Sequence, residues 1–180
     1  MILEIVQYGH PALRAKGRLI EKVDDDIRQL AEDMLETMVD ADGVGLAAQQ
    51  IGRPIQMCVL DVTEVTDRPS VLRINGKVVD IAEHMPLVLI NPEVETFGKS
   101  RAGVEGCLSF PGARGDIVRP HSVRVKARTL DGSTLEFEAD GLLARAIQHE
   151  HDHLHGILFI DHMNPADKQE IVREFEGGSI

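Results

Sequence analysis

Residues 148–154 read Gln-His-Glu-His-Asp-His-Leu, and no other stretch narrows what this chain can fold into so far. They contain H-E-x-x-H, a spacing with chemical meaning on a helix. Positions i and i+4 share one helix face, so His149 and His153 can grip one metal ion. Glu150 follows the first histidine by about a quarter-turn, close enough for its carboxylate to take a proton from a metal-bound water. The competing reading is a solvated histidine cluster, since His151 and His155 crowd the same stretch. The flanks favour the metal. Leu142, Leu143, Ala146, Ile147 and Leu154 recur at helical spacing and give the segment an apolar stripe. Asp140 is expected to cap its start and Gly156 to end it. A helix buried on that side carries its histidines inward, where polar side chains need partners.

A chain of 180 residues fits one domain, 1–180, and is long enough to bury a sizeable core. Its formal charge of -11 argues against a general nucleic-acid binder, whose domain would be basic. No apolar run approaches the ~18 residues of a membrane span. Met1-Ile2-Leu3-Glu4 lacks the basic-then-apolar order of a signal peptide. Cys58 and Cys107 make no disulfide framework, so a reducing cytoplasm is the expected location.

Residues 1–23, broken by Gly9, Pro11 and Gly17, read as an extended arm packed on the body, with His10 in a structural turn. Asp24-Asp25-Asp26 opens an amphipathic helix. Ile27, Leu30, Ala31, Met34, Leu35, Met38 and Val39 form its apolar stripe, and it should end near Asp42-Gly43. Gly43-Val44-Gly45-Leu46-Ala47-Ala48-Gln49-Gln50 follows. Its alternating glycines either admit a close backbone approach or simply make a turn. Residues 55–60 read as a buried strand holding Cys58 as a core thiol. Residues 61–86 read as a surface excursion with a hairpin around Asn75-Gly76. Leu87–Ile90 is a strand stopped by Asn91-Pro92, with a further short strand over Val94–Phe97.

Arg101–Gly115 reads as a defined loop around Glu105-Gly106-Cys107-Leu108-Ser109. There Cys107 is a core thiol, a nucleophile or a third metal ligand. Two strands follow, around Asp131-Gly132. A two-residue turn would set Arg128 opposite Leu135. A three-residue loop, Asp131 to Ser133, sets Arg128 opposite Glu136, Lys126 opposite Glu138 and Ala127 opposite Phe137. A one-residue slip exchanges the faces of a strand. Burying Leu135 and Phe137 contributes roughly 1.5–3 kcal/mol each, so an odd-length loop or a bulge is expected. Asn164-Pro165 should start a last helix through Phe175, and Gly177-Gly178-Ser179 should fray.

Three motifs now stand in one order: Gly43-Val44-Gly45-Leu46-Ala47-Ala48-Gln49-Gln50, then Glu105-Gly106-Cys107-Leu108-Ser109, then Gln148-His149-Glu150-His151-Asp152-His153-Leu154. Together they resemble the peptide deformylases of the bacterial type. The likeness extends through Phe110-Pro111-Gly112, the strand pair and Gly156-Ile157-Leu158-Phe159. It implies an α+β fold, with antiparallel sheets packed around the central H-E-x-x-H helix, beside the N-terminal amphipathic helix already read from periodicity. By the same likeness Cys107, His149 and His153 bind one divalent metal, with water in the fourth position. The family's usual metal is Fe(II), and Zn(II) and Ni(II) are also accepted. Glu150 matches the general base and acid, while Gln50 and the Leu108 N–H match the groups that hold the substrate carbonyl oxygen. The activity implied is removal of the formyl group from the formyl-methionine terminus of nascent polypeptides.

Three protein ligands and an open position make a catalytic rather than a structural metal site. The peptide is expected to lie extended along backbone at Val44, Gly45 and Gly106. Arg145, one turn before His149, is expected either at the rim of the methionine pocket, stem packed and guanidinium in water, or as a plain surface arginine. The C-terminal segment is short and acidic (Glu170, Glu174, Glu176), which counts against the transient ribosome contact made by a basic helix in this family. Three rivals share some features: a zinc endopeptidase, a thiol hydrolase with Cys107 as nucleophile, and a non-enzymatic metal-binding module. Cleavage of unformylated peptides would favour the first, and inactivation by alkylation but not chelation the second. A metal-loaded chain without hydrolysis would favour the third.

Overall fold

The computed structural model describes residues 1–177. Its strands are β1 (Gly45–Ala47), β2 (Met57–Leu60), β3 (Ser70–Ile74), β4 (Lys77–Val79), β5 (Leu87–Cys107), β6 (Phe110–Arg128) and β7 (Thr134–Gly141). The α-helices are α1 (Asp25–Asp40), α2 (Leu142–Leu154) and α3 (Pro165–Gly177). The expectation for Gly178 and Ser179 lies outside the described residues, and Gly177 is the last residue of α3.

The seven strands described join one antiparallel sheet, in the order β1-β2-β5-β6-β7-β3-β4, in place of the more than one sheet that the resemblance implies. The reason is the length of β5 and β6. Pieces read as a strand, a short strand and a loop are one 21-residue strand, β5, carried past its breaks by register shifts at Ile90/Glu93, Phe97/Ser100 and Gly106/Cys107. Bulges of this kind let a strand bend without leaving its partner. The expected loop over Arg101–Gly115 is therefore the tip of a hairpin whose turn is only Leu108-Ser109. Residues 61–86 likewise do more than skirt the surface, because β3 pairs with β7. The β3–β4 turn is the expected Asn75-Gly76, with φ of 53° and 75°, the positive pair that a two-residue hairpin needs.

The β6–β7 hairpin has the expected parity but a five-residue loop, which pairs Arg128 with Thr134, Lys126 with Glu136 and Val125 with Phe137. Thr129 and Ser133 are drawn into the turn: Asp131 Oδ1 accepts from the Ser133 N–H at 2.9 Å and from both hydroxyls. Phe137 still points inward, so the faces survive the change of register.

Helix α1 begins as read, with Asp24 Oδ1 accepting from Ile27 N–H at 2.9 Å. Leu30, Ala31, Met34 and Met38 pack on Leu46, Met57, Val59 and Ile90, whereas Val39, counted in the stripe, is exposed. Helix α2 buries Leu143, Ala144, Ile147 and Leu154 against Cys58, Leu89, Val123, Val125 and Ala139. Asp140 does not cap α2; its carboxylate pairs with Arg73 and Ser122. The first N–H groups of the helix go instead to Pro69 O and Ser70 Oγ, at 3.0 and 2.9 Å. Gly141 enters the helix at φ 73° with Pro69 O so close that a Cβ would lie 2.3 Å from it, so a side chain is excluded there on both counts. The N-terminal arm packs on the body, though a 3-10 turn over Pro11–Arg14 interrupts its extended course, and it ties the motifs together. Val6 N–H bonds Gln50 O, Tyr8 N–H bonds Ser109 O, and Gly17 N–H bonds Leu154 O.

Candidate active site

The inward face of α2 meets the β5–β6 turn and the Gly43–Gln50 segment at a cleft of about 400 Å3. Every site residue expected from sequence lines this cleft except His153, which lies deeper. Cys107, His149 and His153 each bring a ligand atom within 4.8 Å of the other two. Cys107 Sγ stands 3.4 Å from His153 Nε2. The i, i+4 spacing sets the two imidazoles side by side, ring centroids 5.0 Å apart, and the hairpin turn delivers the sulfur.

The orientation of His149 comes from Glu105. Its Nδ1 lies 2.9 Å from Glu105 Oε1, so the Nδ1–H donates there and Nε2 is left as the ring's ligand atom. Glu105 in turn accepts from Arg119 Nε and Nη2 at 2.6 and 3.0 Å, and from Arg145 Nη1 at 2.8 Å. Arg119 reaches on to Asp152 Oδ2, which also meets His162 Nε2. Burial pushes the Glu105 carboxyl up, but hydrogen bonds from His149 and Arg119 outweigh it and hold its pKa well below the carboxylate range. Burial opposes charge on His149 too, yet Cys107 and Glu105 raise its pKa well above the usual imidazole value. Burial and the neighbouring His149 push His153 well below. Two imidazoles this close do not both carry a proton charge.

Glu150 is buried, and burial pushes its carboxyl up to about 7 against the opposing pull of His149. Gly45 makes room for it: a Cβ there would lie 2.4 Å from Glu150 Oε2. Of the two readings of the glycine motif, close approach is the one realised. Gln50 is aimed by the backbone of the residues just before it. Its Oε1 accepts from Ala47 N–H at 3.0 Å, which turns Nε2 toward Ser109 Oγ at 3.2 Å and Cys107 Sγ at 3.5 Å. Val44 O already accepts from Asp61 N–H at 2.9 Å. Arg145 lines the cleft, but its guanidinium is turned onto Glu105 and two backbone carbonyls rather than into water.

A thiol sulfur and two imidazoles suit a divalent transition metal. Glu150 Oε1 is buried without a hydrogen-bond partner among the described residues, as befits a site that receives a polar guest. The sequence reading missed the support behind the ligands. In the sequence Glu105 shows only as part of the cysteine motif, and the one signal of Arg119 is a charged residue between Val118 and Pro120.

An H-E-x-x-H helix laid against an antiparallel sheet, with a cysteine brought to the same point, defines a metal-binding hydrolase. The polypeptide deformylase family profile matches residues 2–169. The chain is 48% identical over 176 residues to the peptide deformylase of Methylacidiphilum infernorum, across 98% of this chain and 92% of that one. It is 43% identical over 173 residues to that of Opitutus terrae, across 95% and 90%. The structure of a peptide deformylase from Ehrlichia chaffeensis in complex with actinonin aligns with a TM-score of 0.86 at 32% identity, covering 98% of this chain and 97% of that one. The structure of one from Legionella pneumophila aligns with a TM-score of 0.84 at 33% identity, covering 99% and 96%. The chain belongs to the polypeptide deformylase family, and with it to the enzymes of protein biosynthesis.

Proposed function

We propose that this chain removes the N-formyl group from the formyl-methionine end of newly made polypeptides and releases formate. One observation carries the reading: Cys107, His149 and His153 converge in the cleft where the buried Glu150 and the aimed Gln50 amide also meet. In this reading the three ligands hold one divalent metal, Fe(II) in the cell, and also accept Zn(II) or Ni(II). Such a metal, when bound, polarises a carbonyl and acidifies water near neutral pH.

The rest falls to the chain. Glu150 takes a proton from water and delivers it to the leaving amine, and a pKa of about 7 suits it to both tasks. The Gln50 amide and the Leu108 N–H face the carbonyl oxygen as negative charge builds there; one such donor contributes about 2.7–4 kcal/mol. A formyl carbon bears only hydrogen, so a narrow cleft admits it and rejects bulkier acyl groups. The peptide lies extended past Val44, Gly45 and Gly106.

Residues 1–180 act as one catalytic unit in the cytoplasm, and no described helix is long and apolar enough to cross a membrane. Helix α3 gives Ile171 and Phe175 to the packing around Phe110. Its exposed side carries Glu170, Glu174 and Glu176, so a transient ribosome contact would be made without a basic α3 face. Formate release from a formyl-Met peptide by anaerobically purified protein, with metal analysis alongside, tests the proposal. Cleavage of unformylated peptides in its place would overturn it in favour of an endopeptidase.

A further inference from the structure

We infer that Arg145 is a positioning residue: together with Arg119 it clamps Glu105, and through Glu105 it fixes the ring of His149. The inference rests on the metal reading above. A carboxylate offers about four acceptor sites, and all of Glu105's are used. Oε1 takes His149 Nδ1–H at 2.9 Å and Arg119 Nη2 at 3.0 Å. Oε2 takes Arg119 Nε at 2.6 Å and Arg145 Nη1 at 2.8 Å. The carboxylate cannot turn toward or away from His149 without breaking a bond on its far side.

Arg145 is itself held. Nη1 also donates to Ile117 O and Nη2 to Arg101 O, each at 2.8 Å. Its side chain is 11% exposed. Gly103 lies flat against the guanidinium, where a Cβ would come 2.8 Å from Cζ. One planar fork therefore locks α2, β5 and β6 to the carboxylate that orients the ligand one helical turn away. The planar guanidinium spans these acceptors from two nitrogens; lysine's single ammonium nitrogen does not have that fork. Removing Arg145 leaves Glu105 Oε2 with Arg119 alone and takes a donor from Ile117 O and Arg101 O, and the looseness passes to the angle and tautomer of His149.

Two variants test the clamp. Arg145→Met keeps the apolar stem and removes every donor. Gly103→Ala keeps the arginine but pushes its guanidinium aside. Zn(II) affinity is measured for each by competition with a chromophoric chelator, beside the thermal unfolding of the metal-free chains. Steady-state kinetics on formyl peptides with Met, Leu, Phe or Ala first are run at saturating zinc. Arg145→Met should weaken zinc binding by about tenfold or more, within the ~10–100-fold range of lost outer-shell partners. The KM order across the four peptides should stay unchanged, and Gly103→Ala should weaken zinc in the same direction. Zinc affinity equal to wild type in the variants overturns the clamp. Lower unfolding temperature alone would then make Arg145 structural, and a reordered KM series would make it a pocket rim. If Arg145→Met does not fold, Gly103→Ala decides. A wild-type chain that binds no zinc would sink the metal reading itself, and that result is visible before any variant is made.

Discussion

Helix α2 and its C-cap residue His155 carry two histidine pairs at the same spacing. The rings of His149 and His153 stand 5.0 Å apart, and those of His151 and His155 stand 4.5 Å apart. The first pair is buried and meets Cys107 and Glu105. The second faces outward, and His155 Nδ1 bonds nothing more distant than His151 O, at 3.0 Å. A shift of two residues turns a pair about 200° round the helix, and only the inward side meets the β5–β6 turn. Spacing makes a histidine pair able to bind; a third donor and an orienting carboxylate from other strands make it a site.

The comparison breaks most sharply at the ligands. Alanine at Cys107, His149 or His153 should each lose bound metal and activity, by more than the ~10–100-fold that an outer-shell partner costs. A double alanine at His151 and His155 should keep both. Metal content after gel filtration reads the difference, and stoichiometric metal in Cys107→Ala would refute the ligand set. Glu150→Gln separates binding from chemistry on the same face. It should hold metal at wild-type stoichiometry and lose roughly 10²–10⁴-fold in kcat, the share of a positioned general base. A near-normal kcat would mean that another group moves the proton.

Much of this contrast was legible in the chain itself, because it is local. Periodicity and Asp24 gave α1, H-E-x-x-H gave the inward face of α2, and Cys58 in an apolar run gave a core thiol. What sequence left unread depends on partners far along the chain. Asp140 looked like a helix cap but is taken by Arg73, 67 residues away, while Ser70 caps in its stead. Residues 101–115 looked like a loop because glycines hide a strand whose order comes from its partner β6. The same distance hid Glu105 and Arg119, fourteen residues apart in sequence and bonded in space. It also hid the partner of Arg145, whose guanidinium bonds Glu105 on another strand.

A glycine sharpens the comparison next. Gly45→Ala would place a Cβ 2.4 Å from Glu150 Oε2, so the carboxylate must turn or β1 must shift. Misplacement of about 1 Å costs up to roughly 10²-fold. We expect kcat to fall by roughly tenfold to that limit, with metal retained. Gly45→Ala combined with Glu150→Gln should be no slower than Glu150→Gln alone, since both act through one carboxylate. An additive double variant would show that Gly45 matters for something other than room for Glu150.

The smallest effect belongs to the second cysteine, which extends the contrast from histidines to thiols. Cys58 sits on β2 opposite Ala47 and Leu89, 1% exposed. Burial raises its pKa well above the usual thiol value, so it stays protonated and makes a poor ligand and a poor nucleophile. Cys107, by contrast, reaches the cleft. Cys58→Ser keeps the shape of the side chain but puts a hydroxyl among apolar neighbours, at a cost of about 1–3 kcal/mol when no partner is found. At this chain length each kcal/mol lowers Tm by about 2–4 °C. Metal stoichiometry, KM and kcat should match wild type while Tm falls. A loss of metal in Cys58→Ser would bring the second thiol into the site and erase the distinction between the two cysteines.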